Sequence, residues 1–393
     1  MLLTIRLQVR SFLYGSLILV LSLEGCRHDI SVKSEEMSAY LADYEVPVHK
    51  WGFLNQKGEL IIKPVYDEVG FFNEGMAAVN SKGLWGFIDT NGKEIISPAF
   101  KSVWSFHENR ARIQLFDHGE QFIDRKGYIL KTTGWSASDD FSGGLARVKV
   151  GDTYGYIDST GLMIIQPIFT RGWNFNEGIC VVEYHEKQGV IDSKGAYILK
   201  PEFDWIKVAG DAKIILCRQA NNSMAYDING GKIASLDDCK MVDSDGKMIS
   251  VRKNNFMYLF SISTYLPVTT YPFSNINYLE SSLWAGKTTE GYIVLDSIGK
   301  PLTSIAYHQI NKYSNGFAAY SKGDFWGYIN MQGQETTKDV FGLAWDYKEG
   351  YARAAFKDGI AFIDAFQKLA FYPPAGALEL RDFSGGLAPV QVQ

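Results

Sequence analysis

The chain has 393 residues, 21% of them charged, and Lys+Arg 39 against Asp+Glu 44 leaves a net charge of -5. That balance lacks the basic footprint of a nucleic-acid binder, so DNA and RNA are set aside as partners. The length exceeds one ordinary core and would argue for two or three domains, but an internal repeat makes a single extended array the better reading.

The chain opens with Arg6 and Arg10 ahead of an uncharged apolar run at 11–23, SFLYGSLILVLSL. The run is too short to span a bilayer as a helix and suits the core of an export signal. It ends in Leu23-Glu24-Gly25-Cys26, which resembles the lipobox of bacterial lipoproteins. The resemblance implies cleavage before Cys26, lipidation of Cys26 and an anchor in the cell envelope. Glu24 stands where that family places a small or apolar residue, and an ordinary export signal with an incidental cysteine is the alternative. Arg27 follows in place of the Asp that marks inner-membrane retention in such lipoproteins, which implies the outer membrane. Residues 26–46 are polar and outside the repeat, and read as a tether spanning roughly 25 Å, with a short helix allowed within 35–43.

From residue 47 to 393 the chain is a repeat array. Equivalent positions fall at Trp51, Trp85, Glu120, Tyr154, Gln188, Ser223, Met257, Tyr292, Trp326 and Ile360, always 34 or 35 residues apart. A fixed period of this size marks a repeat architecture. Each unit starts with an aromatic and β-branched stretch such as Trp85-Gly86-Phe87-Ile88-Asp89, read as a strand. An Asp-x-x-Gly turn follows, as at Asp89 and Gly92, where the Asp side chain can bond backbone two residues on and glycine accepts positive φ. A second apolar run is closed by proline at Pro64, Pro98, Pro167 and Pro201, which the missing N–H makes a strand end. A phrase such as Phe72-Asn73-Glu74-Gly75-Met76-Ala77-Ala78-Val79 then supplies a glycine turn and a third strand.

The fold expected is therefore all-β: ten units of about 34 residues, each a three-stranded meander that must stack on its neighbours. An open, curved β-solenoid is favoured. A closed propeller-like ring is the alternative, because the chain begins on a Trp-Gly strand and ends on the strand that elsewhere precedes one; against it, ten blades exceed the usual 4 to 8. The units between 223 and 290 have lost most of the signature, either as spacers or as a reshaped recognition surface.

The phrases Trp-Gly-Phe/Tyr-Ile-Asp-x-x-Gly-Lys, Ile-Ile-x-Pro-x-Tyr/Phe and Phe-x-x-Gly-x-Ala-x-Val resemble the WG-repeat family of bacterial proteins, from about residue 50 to the C-terminus. The resemblance implies an exported interaction module.

Catalytic constellations are not visible. The histidines are His28, His49, His107, His118, His185 and His308, with no metal-binding spacing, and a serine elbow is lacking. One Asp per turn spreads carboxylates a repeat apart, so turn capping is read in place of calcium binding. Cys180 occupies a small-residue strand position, and no pair among Cys180, Cys217 and Cys239 is nominated as a disulfide. No enzyme activity, metal or cofactor is expected. Trp104, Trp173 and Trp345 share one offset in the repeat and are the candidate ligand-binding row, if they are not simply core. The function expected is a membrane-tethered scaffold for an envelope protein, with binding of cell-wall or other glycan through the aromatic row as the alternative.

Overall fold

The computed structural model describes residues 34–116, 118–130, 134–209, 214–269, 272–337 and 340–393. The export signal and Cys26 lie outside the described residues. Within them the strands form ten small antiparallel sheets of three or four strands, arranged as the ten blades of a β-propeller ring.

Ring closure replaces the open solenoid favoured above. The strand Leu387–Val392 pairs antiparallel with Lys50–Asn55, from Lys50 against Val392 to Asn55 against Leu387. One blade thus combines Leu60–Tyr66, Lys50–Asn55, Leu387–Val392 and Ala377–Leu380, taking two strands from each end of the chain. The register repeats that of the neighbouring blade, where Met76–Ser81 pairs with Leu84–Asp89. An open array would leave both terminal strands with unpaired edges, and closure satisfies both at once. Side chains repeat the bond: Arg381 donates to Glu68 Oε1 at 2.9 Å and to the Val69 carbonyl at 2.8 Å, and its guanidinium lies 3.8 Å from the centre of the Trp51 ring.

We number this closing blade 1, so that blade 2 holds Glu68–Val69, Met76–Ser81, Leu84–Asp89 and Glu94–Phe100, and blades 3 to 10 follow in chain order at 102–124, 137–169, 171–203, 205–236, 240–261, 275–295, 309–330 and 343–371. Each blade is therefore out of phase with the sequence repeat and straddles two units. The extra two-residue strand, as at Glu68–Val69 or Ala137–Ser138, is what turns the expected three strands into four.

Proline does not end the second apolar run as expected. Glu94–Phe100 continues through Pro98. The pairing jumps from Trp85 against Phe100 to Phe87 against Ile96, so the Ser97-Pro98-Ala99 stretch bulges over Gly86. A proline, with no N–H to offer, fits where the ladder is broken. The bulge presses on the glycine: a Cβ at Gly86 would sit 2.6 Å from the Pro98 nitrogen. The Trp-Gly pair is thus half of a device whose other half is the proline.

The Asp turns are closed as read from the sequence. Asp89 Oδ1 accepts the backbone N–H groups of Asn91 and Lys93, both at 2.9 Å, while Gly92 stands at φ +78°. These hydrogen bonds hold the Asp89 carboxyl below its usual range, the Lys93 N–H being the largest cause, with partial desolvation opposing it. Blades are tied at their rims by the Phe-x-x-Gly turns. Glu74 accepts from the Glu108 and Asn109 N–H groups, Glu108 from Gly144, and Glu349 from Gly385 and Gly386.

The segment read as a tether carries a helix at Ser34–Ala42. Beyond it, Tyr44 donates to Asp67 at 3.1 Å, and the Tyr40 and Phe116 rings meet edge-on at 5.3 Å. The Tyr44 ring and Leu41 lie over Gly83, so this end of the segment rests on the turn between two strands of blade 2.

Candidate functional site: a tryptophan-lined crevice

Trp104, Trp173 and Trp345 fall at the same structural position, just past the short first strand of blades 3, 5 and 10. Their amides donate to the carbonyls of Arg112, Val181 and Arg353, each the third residue of the neighbouring strand or its equivalent. That partner decides what the ring does. Arg112 stacks its guanidinium 4.4 Å from the Trp104 ring centre, and Arg353 lies 4.6 Å from that of Trp345. The same arginines reach across to the next blade. Arg112 donates to Asp140 at 2.7 Å and to the Ser138 carbonyl at 2.8 Å, and Arg353 does so to Asp382 and Leu380. Trp104 and Trp345 are half-buried under these bridges, so two of the three candidates act as packing between blades. Between blades 4 and 5 Arg147 likewise donates to the Gly172 carbonyl of the next blade, but its ion pair is with Asp139 of its own blade.

Blade 5 departs from this pattern. Val181 stands where the arginine would, no guanidinium among the described residues covers the Trp173 ring, and Trp173 is 42% exposed. The crevice between blades 5 and 6 opens into a cavity of about 350 Å³ lined by Trp173, Asn174, Asn176, Val181, Trp205 and Lys207. Its walls are fixed from behind. The Trp173 carbonyl accepts from the Tyr156 hydroxyl at 2.9 Å and from the Cys180 thiol at 2.9 Å. Gln188 Oε1 accepts the Ile206 N–H at 2.6 Å, and Lys207 pairs with Asp243 of blade 7 at 2.9 Å. The cavity therefore offers two flat apolar rings, a valine floor and two exposed side-chain amides held on a rigid frame.

Trp205 was not nominated by the sequence. It lies two residues before the offset of the row, on the strand Trp205–Ala209, and only the ring brings it opposite Trp173. Its indole is itself stacked by Arg218 at 5.5 Å.

The three described cysteines are free thiols buried in the core. Burial pushes Cys180 up to about 11 and Cys217 up to about 12, so both stay protonated and behave as small apolar groups. Burial also raises the Tyr156 hydroxyl above its usual range. Among the described residues, no group of three or more His, Cys, Asp or Glu side chains is placed to hold a metal ion, and no helix is long and apolar enough to cross a membrane.

No curated protein matches the chain. Among solved structures the chain is similar to Kluyveromyces lactis Hsv2p, at 12% identity over 64% of this chain and 91% of that one, with a TM-score of 0.32. It is also similar to a eukaryotic initiation factor, at 9% identity over 73% and 94%, with a TM-score of 0.44. A third is the WD40 beta propeller domain of Doa1, at 10% identity over 70% and 94%, with a TM-score of 0.29. Likeness at this level carries no argument about function, and the ring rests on the strand pairing above. The model of the WG containing repeat matches residues 51–85, 85–115, 154–187, 189–208 and 326–359, and in these five segments the chain is similar to that family.

Proposed function

We propose that this protein is a non-catalytic interaction scaffold, exported and held at the cell envelope through lipidated Cys26, a ring that offers one prepared crevice to its partner. The observation that carries the reading is the Trp173–Trp205 cavity, where exposed Trp173 faces half-buried Trp205 over the buried Val181 on a braced frame. Partly exposed tryptophan over an apolar floor is the side-chain chemistry that dominates protein interfaces. A photoreactive amino acid at position 174 of the full chain, activated in intact cells, is expected to trap one envelope protein reproducibly, and Val181→Arg is expected to abolish that adduct. Adducts that persist unchanged in Val181→Arg would refute the crevice as the docking point.

The alternative, a glycan ligand, is favoured by one feature: the exposed amides of Asn174 and Asn176 beside the indoles, a pairing suited to stacking on a sugar ring and bonding its hydroxyls. Titration of intrinsic tryptophan fluorescence with soluble peptidoglycan fragments tests it. A saturable change lost in Trp173→Ala supports glycan; a flat titration removes it. The anchor has its own test, incorporation of radiolabelled palmitate, which Cys26→Ala should eliminate. Outer-membrane placement follows from Arg27 and is checked by density fractionation.

A further inference from the structure

The first two strands of every blade bring one cross-strand pair to the same place, and blade 7 breaks the rule the others obey. In blades 2, 3, 4, 8, 9 and 10 the pairs are Glu68 with Asn80, Ser102 with Gln114, Ala137 with Lys149, Asn275 with Lys287, Gln309 with Ser321 and Leu343 with Ala355. None of these sets like charges together. Blade 5 sets Arg171 against Glu183, an ion pair at 3.8 Å, and blade 6 sets Trp205 against Arg218 as a stacked pair. In the closing blade the corresponding pair is Glu379 with Gln391. Blade 7 alone among these places two cations opposite each other, Lys240 against Arg252. Directly opposed residues of an antiparallel pair share a face, and like charges there are destabilising.

Compensation by carboxylates is incomplete, Arg218 acting on Asp204 only at longer range. Among the described residues none lies within ion-pair distance of Lys240, Arg252, Arg218 or Lys253, whereas Lys207 and Arg353 each have one. Arg218 comes from blade 6 and Lys253 from the next residue of blade 7, and all four line one cavity of about 290 Å³ between the two blades. Asp238 is the single acidic side chain in its wall, so the lining carries four positive groups against one negative. Asn221, Asn254 and Asn255 add amide donors. The volume lies at the low end of the range of small-ligand sites, about 300 Å³ and upward. Two arginine forks with two lysines and side-chain amides is a donor set for tetrahedral oxyanions, which accept several charge-assisted hydrogen bonds at once.

We infer that the blade 6–blade 7 cavity, built by Arg218, Lys240, Arg252 and Lys253, is a binding site for a small doubly charged oxyanion of the phosphate or sulfate class. The anion would occupy the space between the opposed cations and offset their repulsion. Three of the four cations, Lys240, Arg252 and Lys253, lie in the stretch that has lost the repeat signature, so the divergence there includes a change of surface chemistry. It is separate from the tryptophan crevice, although Trp205 lines that crevice while stacking on Arg218, so occupancy of one is expected to be sensed at the other.

The test uses the full chain, with inorganic phosphate and sulfate as probes and chloride at matched ionic strength as the reference, since both oxyanions also stabilise proteins non-specifically. Calorimetric titration should show saturable binding of phosphate or sulfate, at least tenfold weaker in Lys240→Glu and unchanged in Lys200→Glu, an equal charge change on the exposed surface of blade 5. Lys240→Glu also sets a carboxylate opposite Arg252, so the variant should fold with an undiminished Tm in chloride. Arg252→Gln gives an independent loss of binding should the first variant misfold. Absence of saturable binding to the wild-type chain, or equal binding by wild type and both cavity variants, would overturn the inference.

Discussion

Blades 2 and 6 build the same pair of strands in two different ways. In blade 2, Leu84–Asp89 carries the Trp-Gly pair and its partner Glu94–Phe100 bulges over Gly86 at Pro98. In blade 6, Asn222–Asp227 has Met224 where the glycine would be, and its partner Lys232–Leu236 contains no proline. Pairing there runs residue by residue from Ser223 against Leu236 to Ala225 against Ala234, so the bulge over this position is gone and only the shift nearer the turn, between Ala225 and Tyr226, remains. Where no carbonyl and proline press on the strand, a side chain is free to grow, and Met224 enters the core with Ile215 and Cys217. In blade 6 glycine and proline are thus absent together, whereas Gly327 is kept without a proline, because a Cβ there would meet the Tyr320 hydroxyl at 2.7 Å and the Thr337 carbonyl at 3.0 Å. The shared remainder, Asp227 Oδ1 accepting from Asn229 and Gly231 as Asp89 does from Asn91 and Lys93, shows that the turn is a separate module.

The largest effect expected from this comparison is at Gly86. Gly86→Ala should cost about 3 kcal/mol by chemical denaturation, the scale of a forced overpacking. Coupling sharpens the claim: in the Gly86→Ala/Pro98→Ala double variant the bulge is free to regularise, so the loss should fall below the sum of the two single changes by more than about 0.5 kcal/mol. Strict additivity would separate the two residues and break the comparison.

Next in size is the arginine bridge. Arg112→Ala removes charge-assisted bonds to Asp140 and the Ser138 carbonyl, and should cost about 2 kcal/mol while red-shifting Trp104 emission as the ring is uncovered. Blade 5 already lacks the bridge, so Val181→Ala should leave the emission of Trp173 nearly unchanged. A shift of equal size in both variants would contradict the assignment of Trp173 as exposed.

The smallest effect belongs to the turn. Asn55 caps its turn with the same two bonds as Asp89, at 2.9 Å and 3.0 Å, so Asp89→Asn should be close to neutral at pH 7. The difference appears in acid. A carboxyl whose folded value is depressed contributes stability above its unfolded value, and loses it as pH falls through the folded one. The wild type should thus lose slightly more stability than Asp89→Asn on acidification below the ordinary carboxylate range, measured as Tm against pH. Parallel curves would mean the turn bonds do not favour the ionised form.

Much of this was legible before the coordinates. The 34-residue period, the Asp-x-x-Gly turns and the all-β class are local features, and local chemistry writes them directly into residue spacing. Phase and closure are not local. Whether the free edge of Lys50–Asn55 stays open or takes Leu387–Val392 depends on a partner more than 330 residues away, and a periodic sequence looks alike under either choice. The two-residue strands such as Glu68–Val69 are too short to show any alternation. At the site, the shared offset of Trp104, Trp173 and Trp345 was visible, but what separates them is the residue across the ladder, arginine or Val181. Trp205 sits off that offset and reaches Trp173 only through the packing of two blades.

Closure of the ring is the claim on which the crevices, the cavities and the rim bonds all depend. Cysteines placed by Lys50→Cys and Val392→Cys, in a Cys26→Ser background, test it directly, since directly opposed residues on paired strands have Cβ atoms about 5 Å apart. Mild oxidation of dilute protein should give an intramolecular disulfide joining the peptides that carry positions 50 and 392, seen by mass spectrometry in the monomer fraction. Failure to link under conditions where both thiols are titratable, or linkage only between chains, would contradict the closed ring.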